Sequence, residues 1–177
     1  MSSIFDNIAY LQQGNSRQRH AYAILSDYQI LSKLQPFDPI LVGTIPINID
    51  VESSDLDIIG CFSDKHAFQQ SIRDHFGSER HFSMRERQKS GTLAIIANFI
   101  VDNFDIEIFG QNIPTKQQLA YRHLIVEDNL LKQHGEKLRQ QIIELKRQGH
   151  KTEPAFGLAL GLVGDPYIEL LKFERGT

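Results

Sequence analysis

Two aspartates separated by one residue, Asp55 and Asp57, are the feature of this sequence best suited to chemistry. Residues i and i+2 of a strand lie on the same face, so the two carboxylates would share one space while Leu56 and Ile58 point into a core. Like charges this close repel each other and shift their pKa values unless a cation lies between them. Mg²⁺ prefers hard oxygen ligands together with substrate phosphates. The pair therefore predicts a site for Mg²⁺ or Mn²⁺.

A third acidic residue, Glu107, lies in a later segment in which acidic and apolar residues alternate, from Phe104 to Phe109. The alternation places the acidic residues on one face of a strand and the apolar residues on the other. Glu107 can approach the aspartate pair if its strand is the neighbour of theirs. Asp105 lies two residues earlier on the same face, so alternation leaves open which of the two is the third carboxylate.

A glycine and a threonine, Gly43 and Thr44, follow a short apolar run at 40–42. The glycine permits close approach of the backbone, and the threonine hydroxyl with adjacent N–H groups can cradle a phosphate. An isolated Asp-x-Asp pair is usually a solvent-facing pair. The glycine-threonine pair upstream and Glu107 downstream favour a metal-nucleotide site instead.

The elements that must position these residues are short strands in the first part of the chain and helices in the last. Apolar spacing of three and four predicts a helix over 17–34, and glycines at 77, 135 and 149 are placed to end three further helices. Asp102 and Asn103 predict the turn of a hairpin. Thr152 and Glu153 are expected to cap one late helix and Asp165 the next. The predicted strands are 40–42, 56–62, 80–88, 92–101 and 104–109.

The composition predicts a single domain over residues 1–177, with a sheet-containing core at 1–115 and a helical part at 116–177. The chain is 41% apolar, which is enough for a core of useful size. Its 19 Lys and Arg against 22 Asp and Glu give a net charge of -3, which does not favour a nucleic-acid coat. Apolar runs are far shorter than the ~20 residues that span a bilayer, so no membrane partner is expected.

A single cysteine, Cys61, excludes an internal disulfide and fits a reducing compartment. The first residues have neither the basic nor the apolar region of a secretory signal. Both observations predict a cytoplasmic location.

Positive charge is concentrated late in the chain, because residues 116–153 carry 8 basic and 5 acidic side chains. A triphosphate needs cations near its metal. Arg122, His123 and Lys151 are therefore candidates to bind the phosphates or the acceptor. The alternative is that they occupy an exposed helix face.

The order of Gly43-Thr44, Asp55-Leu56-Asp57 and Glu107 resembles that of the DNA polymerase beta-type nucleotidyltransferase superfamily. Over nearly the whole chain the sequence is more similar still to the family called domain of unknown function 4269. The match of the segment around Glu107 to this family favours Glu107 as the third carboxylate. Threonine stands at position 44, where serine is commoner in the superfamily. The segments that carry the resemblance are GTIP at 43–46, SDLDI at 54–58, IEIFGQ at 106–111, AYRH at 120–123, KTEPAF at 151–156 and GDPY at 164–167.

The resemblance implies an α+β, nucleotidyltransferase-like fold, in which a mixed β-sheet with packed helices precedes a helical C-terminal part. It implies that Asp55, Asp57 and Glu107 hold the metal and carry catalysis, and that Gly43 and Thr44 hold the outer phosphates. The expected donor is a nucleoside triphosphate, and the acceptor is a small molecule, RNA or protein. The alternative is a non-catalytic nucleotide-binding or protein-interaction module that retains the fold.

Overall fold

A mixed five-stranded sheet forms the centre of the computed structural model, which describes residues 3–89 and 91–176. The strand order is β1-β2-β5-β4-β3. Only the pair β2 and β5 is parallel among the described strands, and the other neighbours are antiparallel. The mixed sheet and the helical C-terminal part confirm the expected α+β class. The strands are β1 Ile40–Val42, β2 Leu56–Cys61, β3 Arg80–Lys89, β4 Thr92–Val101 and β5 Phe104–Gln111.

Helices cover both faces of this sheet. Short 3-10 turns precede α1, link α2 to β1, link β5 to α4 and end the described chain. No helix within residues 3–89 and 91–176 combines the length and the apolar character needed to cross a bilayer. The helices are α1 Ser16–Asp27, α2 Ile30–Lys33, α3 Lys65–Phe76, α4 Leu119–Arg147, α5 Thr152–Leu160 and α6 Pro166–Leu171.

The helix expected over 17–34 is wrong as one continuous element. Gln29 has a left-handed backbone, φ 54, which separates α1 from α2. Ile24 and Leu25 of α1 and Ile30 of α2 are nevertheless all buried. The apolar spacing correctly predicted which residues face the core. It contains no signal for the break between α1 and α2.

The break expected at Gly135 is present, because this residue has φ 69 and ψ -159 within α4. Glycine adopts such angles at little cost, and other residues do not. The break divides α4 into two arms, residues 119–134 and 136–147. The helical part expected from residue 116 begins with a 3-10 turn at Thr115–Gln117, and its first α-helix begins at Leu119.

Alternation along the strands sorts the side chains into two cores. Leu56 and Ile58 of β2 lie in the core beneath α1 and α3. Ile59 lies in the core beneath α4, α5 and α6. Asp57 has the same parity as Ile59, so it faces the C-terminal helices.

Two glycines on neighbouring strands allow close packing of a helix on the face of the sheet that lies opposite Asp57. Gly60 of β2 and Gly110 of β5 are register partners, and the fully buried Phe68 ring of α3 lies over both. A Cβ on Gly110 would lie 2.3 Å from Cε1 of Phe68. Gly110 of the IEIFGQ segment is therefore required for packing, and its close approach to α3 fixes the sheet behind the aspartates.

Replacing Gly110→Ala is expected to lower the free energy of unfolding by about 1–3 kcal/mol, because the Phe68 ring must move within a filled core. Urea unfolding measures the change. Ser83→Ala, at an exposed position of β3, is the control and should alter stability by less than about 0.5 kcal/mol. Equal stability of Gly110→Ala and the wild type would contradict the packing account.

Candidate functional site

The parallel pairing of β2 with β5 brings together the carboxylates that the sequence separates by fifty positions. Asp57 and Glu107 are direct register partners. Both side chains line a cavity of about 870 Å³ between the sheet and the C-terminal helices. The condition that the sequence left open, that the strand of Glu107 should neighbour that of Asp57, is met.

Asp55 lies immediately before β2 and is partly buried. Its carboxyl group interacts with that of Asp57. Burial raises the pKa of Asp57 to about 8, and the charges of Asp55 and then Glu107 act in the same direction. Asp57 therefore interacts electrostatically with both of the other acidic residues.

Gly43 follows β1 and lies directly beside Asp57. Its φ of +80 is left-handed, and a Cβ built on it would lie 2.3 Å from Oδ2 of Asp57. Only glycine satisfies both the backbone angle and this close approach. The turn at Gly43 thus places backbone next to the Asp57 carboxylate.

The loop from Thr44 to Ser54 is held by its own hydrogen bonds. The Thr44 hydroxyl donates to Oγ of Ser54 at 3.3 Å, and Ser54 Oγ accepts from the N–H of Val51 at 2.9 Å. Gln18 of α1, which is buried, donates to the carbonyl of Ile45 at 2.9 Å. Thr44 also lines the cavity. Thr44, a predicted phosphate-binding residue, thus begins a loop that hydrogen bonds hold in place.

The second arm of α4 secures the same loop from the other side. Arg139 donates to the carbonyl of Asn48 at 3.0 Å, and Lys146 donates to that of Ile49 at 2.9 Å. Burial lowers the pKa of Lys146, which opposes the effect of its neighbouring carboxylates, Asp57 among them. Sequence reasoning missed Lys146, because a basic helix segment does not indicate which of its members turns inward.

Glu107 is better placed than Asp105 to serve as the third carboxylate. Asn98 of β4 donates to Oε2 of Glu107 at 3.2 Å and accepts at Oδ1 from Arg85 at 2.8 Å. Asp105 is exposed and is not among the residues that line the cavity, whereas Glu107 is partly buried and lines it. The hydrogen bond from Asn98 fixes the orientation of the Glu107 side chain.

A row of basic side chains on β3 also reaches this face of the sheet. Arg85, Arg87 and Lys89 pair in register with Ile96, Ala94 and Thr92, which are on the face of Glu107. Arg87 and Lys89 line the cavity. Sequence reasoning missed this row, although Arg-x-Arg-x-Lys on an exposed strand was a signal, since alternate residues share a face.

The basic candidates from the last third of the chain are placed differently from one another. Arg122 lines the cavity and forms a bidentate ion pair with Glu174. Its Nε and Nη2 donate to the two carboxylate oxygens at 2.8 and 2.7 Å. His123 is buried, and its Nε2 is 2.9 Å from the carbonyl of Tyr167. Lys151 is exposed at the start of α5 and is not among the cavity-lining residues. Their assignment as phosphate ligands stays a prediction.

The expected cap of α5 is wrong. Lys151 occupies the N-cap position without a side-chain hydrogen bond, so Thr152 is already the first helical residue. The Glu153 carboxylate lies 3.4 Å from Nδ1 of His123 instead. Asp165 caps α6 as expected, since it accepts from the N–H of Tyr167.

The donor atoms present fit Mg²⁺ through two carboxylates rather than a complete protein cage. Within residues 3–89 and 91–176, no group of three or more His, Cys, Asp or Glu side chains is arranged to hold a metal ion. Mg²⁺ is usually bound by one or two carboxylates, with waters and substrate phosphates as its other ligands. The half-buried, mutually repelling Asp55 and Asp57 match that requirement, because a cation between them would relieve the repulsion.

Solved structures share this fold at low sequence identity. A structure of the Cid1 poly(U) polymerase with MgGTP bound has a TM-score of 0.57 at 14% identity, over 80% of this chain and 48% of that one. A structure of the GLD-2/RNP-8 complex has a TM-score of 0.55 at 15% identity, over 86% and 61%. A cytoplasmic RNA terminal U-transferase has a TM-score of 0.56 at 12% identity, over 86% and 52%. This chain spans about half the length of the first of these, and such identities show the fold alone.

Sequence comparison supplies the family. The family whose description is domain of unknown function (DUF4269) matches residues 23–173, a range that includes every candidate site residue. A search of curated proteins found no significant match. The expected resemblance and the expected fold are both confirmed. The chain belongs to the DUF4269 family and has the fold of the DNA polymerase beta-type nucleotidyltransferases.

Proposed function

We propose that this protein is a metal-dependent nucleotidyltransferase, which moves a nucleoside monophosphate from a nucleoside triphosphate to an acceptor. The placement of Asp57 supports this function best. Asp57 interacts with Asp55, pairs in register with Glu107, and lies against the glycine turn at Gly43. Asp57, Glu107 and Gly43 also line one cavity. Paired carboxylates beside a phosphate-binding turn are the arrangement that phosphoryl chemistry needs.

Each residue has a distinct role in this proposal. Asp55 and Asp57 hold Mg²⁺ or Mn²⁺, and the backbone at Gly43 with the Thr44 hydroxyl holds the outer phosphates. When bound, the metal supplies positive charge that neutralises the phosphates. Arg87 and Lys89 supply further positive charge along the cavity wall. Arg122 also remains a proposed phosphate ligand, and binding there requires that it exchange Glu174 for phosphate.

The transfer itself forms one bond and breaks one. The acceptor hydroxyl oxygen bonds to the α-phosphorus, while the bond from that phosphorus to the bridging oxygen of the β-phosphate breaks. Pyrophosphate leaves with the electron pair of the broken bond. Glu107 either takes the hydroxyl proton or would share the metal, in which case the proton passes to water. The Asn98 amide holds the Glu107 carboxylate in place. The acceptor is a small molecule, RNA or protein.

A second candidate is a non-catalytic nucleotide-binding or protein-interaction module. The observation that favours it is the lack of a ready-made three-ligand metal group in the described part of the chain. Incubation of the protein with Mg²⁺, each labelled triphosphate and a cell extract separates the two. Pyrophosphate release or transfer of label supports the enzyme, and metal-dependent binding without either supports the module.

The pH dependence of stability tests the electrostatics of Asp57. Its pKa is raised from 3.8 to about 8 by folding, so between these values the folded state holds a proton that the unfolded state has lost. In chelator, the wild type should therefore lose stability relative to Asp57→Asn as pH rises from about 4 to about 8, by a few kcal/mol at most. Melting temperatures at pH 5 to 8.5 measure this. Asp105→Asn should keep the wild-type slope, whereas parallel curves for the wild type and Asp57→Asn would contradict the account.

Metal-dependent binding tests the aspartate pair. Asp55→Asn and Asp57→Asn should each abolish Mg²⁺-dependent triphosphate binding, because each removes one charge from the proposed metal ligands. Without metal, both variants should melt close to or above the wild type, since the acids repel each other when no cation is bound. Calorimetry measures the binding. If both variants bind the magnesium-triphosphate complex as tightly as the wild type, the metal-site proposal is wrong.

Single-turnover rates separate the two candidates for the third carboxylate. Glu107→Gln should lower the rate by orders of magnitude, because a metal ligand or base acts in the transition state. Asp105→Asn should have a much smaller effect, since this residue is exposed and is not part of the cavity lining. A larger loss in Asp105→Asn than in Glu107→Gln would identify Asp105 as the functional acid.

A further inference from the structure

Asn98 connects the candidate third carboxylate to a basic side chain that lies outside the cavity lining. Asn98 of β4 is the register partner of Glu107 on β5 and of Ser83 on β3. Its Nδ2 donates to Oε2 of Glu107 at 3.2 Å, and its Oδ1 accepts from Nη1 of Arg85 at 2.8 Å. Arg85 lies two residues beyond Ser83 on the same face of β3, where a long side chain reaches its diagonal neighbour. Three neighbouring strands thus contribute one side chain each to a series of hydrogen bonds that ends at Glu107.

The chemistry of the two end groups determines which way the Asn98 amide points. A guanidinium group has N–H donors and no acceptor, so the amide must present its oxygen to Arg85. The amide N–H groups are then left for Glu107, whose ionised carboxylate accepts hydrogen bonds and donates none. With the amide reversed, two donors would meet at Arg85 and two acceptors at Glu107, and both hydrogen bonds would be lost. Arg85 therefore favours the orientation in which Asn98 donates to Glu107.

Arg85 is placed differently from the basic residues of the cavity wall. It is exposed and is not among the residues that line the cavity, whereas Arg87 and Lys89 of the same strand line it. Asn98 is half-buried and is not among the lining residues either. The hydrogen bond to Asn98 is the contact through which Arg85 reaches Glu107. Groups that orient a functional side chain from behind change metal affinity or activity by about 10- to 100-fold when they are removed.

We propose that Arg85 is a positioning residue for the third carboxylate and acts through Asn98. By holding the amide oxygen, Arg85 keeps the amide N–H on Oε2 of Glu107 and leaves Oε1 of that carboxylate for its role in the transfer. The inference rests on the proposed function, and it holds whether Glu107 takes the acceptor proton or would share the metal. It gives Arg85 a part in the reaction that is separate from the positive charge that Arg87 and Lys89 supply along the cavity wall.

Single-turnover transfer rates in a double-mutant cycle test this route. Arg85→Met should lower the rate about tenfold, because the Asn98 amide loses the group that fixes its direction. Asn98→Ala should lower it at least as far, and in that background Arg85→Met should add no more than about a twofold loss. Arg85→Lys keeps an N–H donor and should recover most of the rate. Arg80→Met removes another exposed arginine of β3, one that donates to the carbonyl of Asp102 instead, and this matched control should transfer as the wild type does.

The side-chain amide resonances of Asn98 give a readout that does not depend on turnover. In a nitrogen–proton correlation spectrum these resonances are assigned by their loss in Asn98→Ala. They should shift in Arg85→Met, because the hydrogen bond at the amide oxygen is lost, and they should stay in place in Arg80→Met. If Asn98→Ala does not fold, Asn98→Val, which also lacks the amide and suits a strand, takes its place.

Three results would overturn the inference while leaving the proposed function intact. They are a wild-type rate in Arg85→Met, losses at Arg85 and Asn98 that multiply in the double variant, and unmoved Asn98 resonances in Arg85→Met. Multiplied losses would show that Arg85 acts on the substrate directly and not through Asn98. If the wild type transfers no nucleotide, the proposed function fails, and the role of Arg85 fails with it.

Discussion

The parallel pairing of β2 with β5 is the constraint on which the candidate site depends. It sets Asp57 beside Glu107 in register and points both carboxylates towards the C-terminal helices. Burial of like charges side by side is costly, and the raised pKa of Asp57 reflects that cost. The apolar packing on the opposite face, where the Phe68 ring lies over Gly60 and Gly110, keeps the two strands together despite the repulsion.

The long helix α4 serves the site with both of its arms, and the break at Gly135 makes this possible. The first arm forms a cavity wall that includes Arg122 and Glu127. The second arm binds the loop that follows Gly43, through Arg139 and Lys146. An uninterrupted helix of this length would be about 40 Å long and could not place both arms against the sheet. The break at Gly135 therefore lets one helix both line the cavity and hold the loop that follows Gly43.

Charges of opposite sign are separated within the cavity. The carboxylates lie on β2 and β5, while Arg87 and Lys89 lie on the edge strand β3. A metal-triphosphate complex carries both kinds of charge, because its cation requires acids and its phosphates require bases. Arg122 is held by Glu174, so part of the positive charge is neutralised within the protein before any ligand binds.

The sequence by itself determined the local elements and the types of residue in the site. Apolar runs and alternation predicted the strands. The period of two also predicted that Asp55 shares a face with Asp57 and that Asp105 shares one with Glu107, because the side-chain period of a strand is a local property. The glycine turn at Gly43 and the break at Gly135 were equally readable, since left-handed backbone favours glycine.

Only the tertiary structure decided which distant residues meet. Strand order made Asp57 the register partner of Glu107. It also placed the basic side chains of β3 on the cavity side of the sheet. Neither result follows from local spacing. The ion pair of Arg122 with Glu174, the inward position of Lys146 and the unpaired carboxyl of Glu127 depend on which helices pack together. Burial and contact across the chain set the environment of a charge, and residue type alone does not contain them.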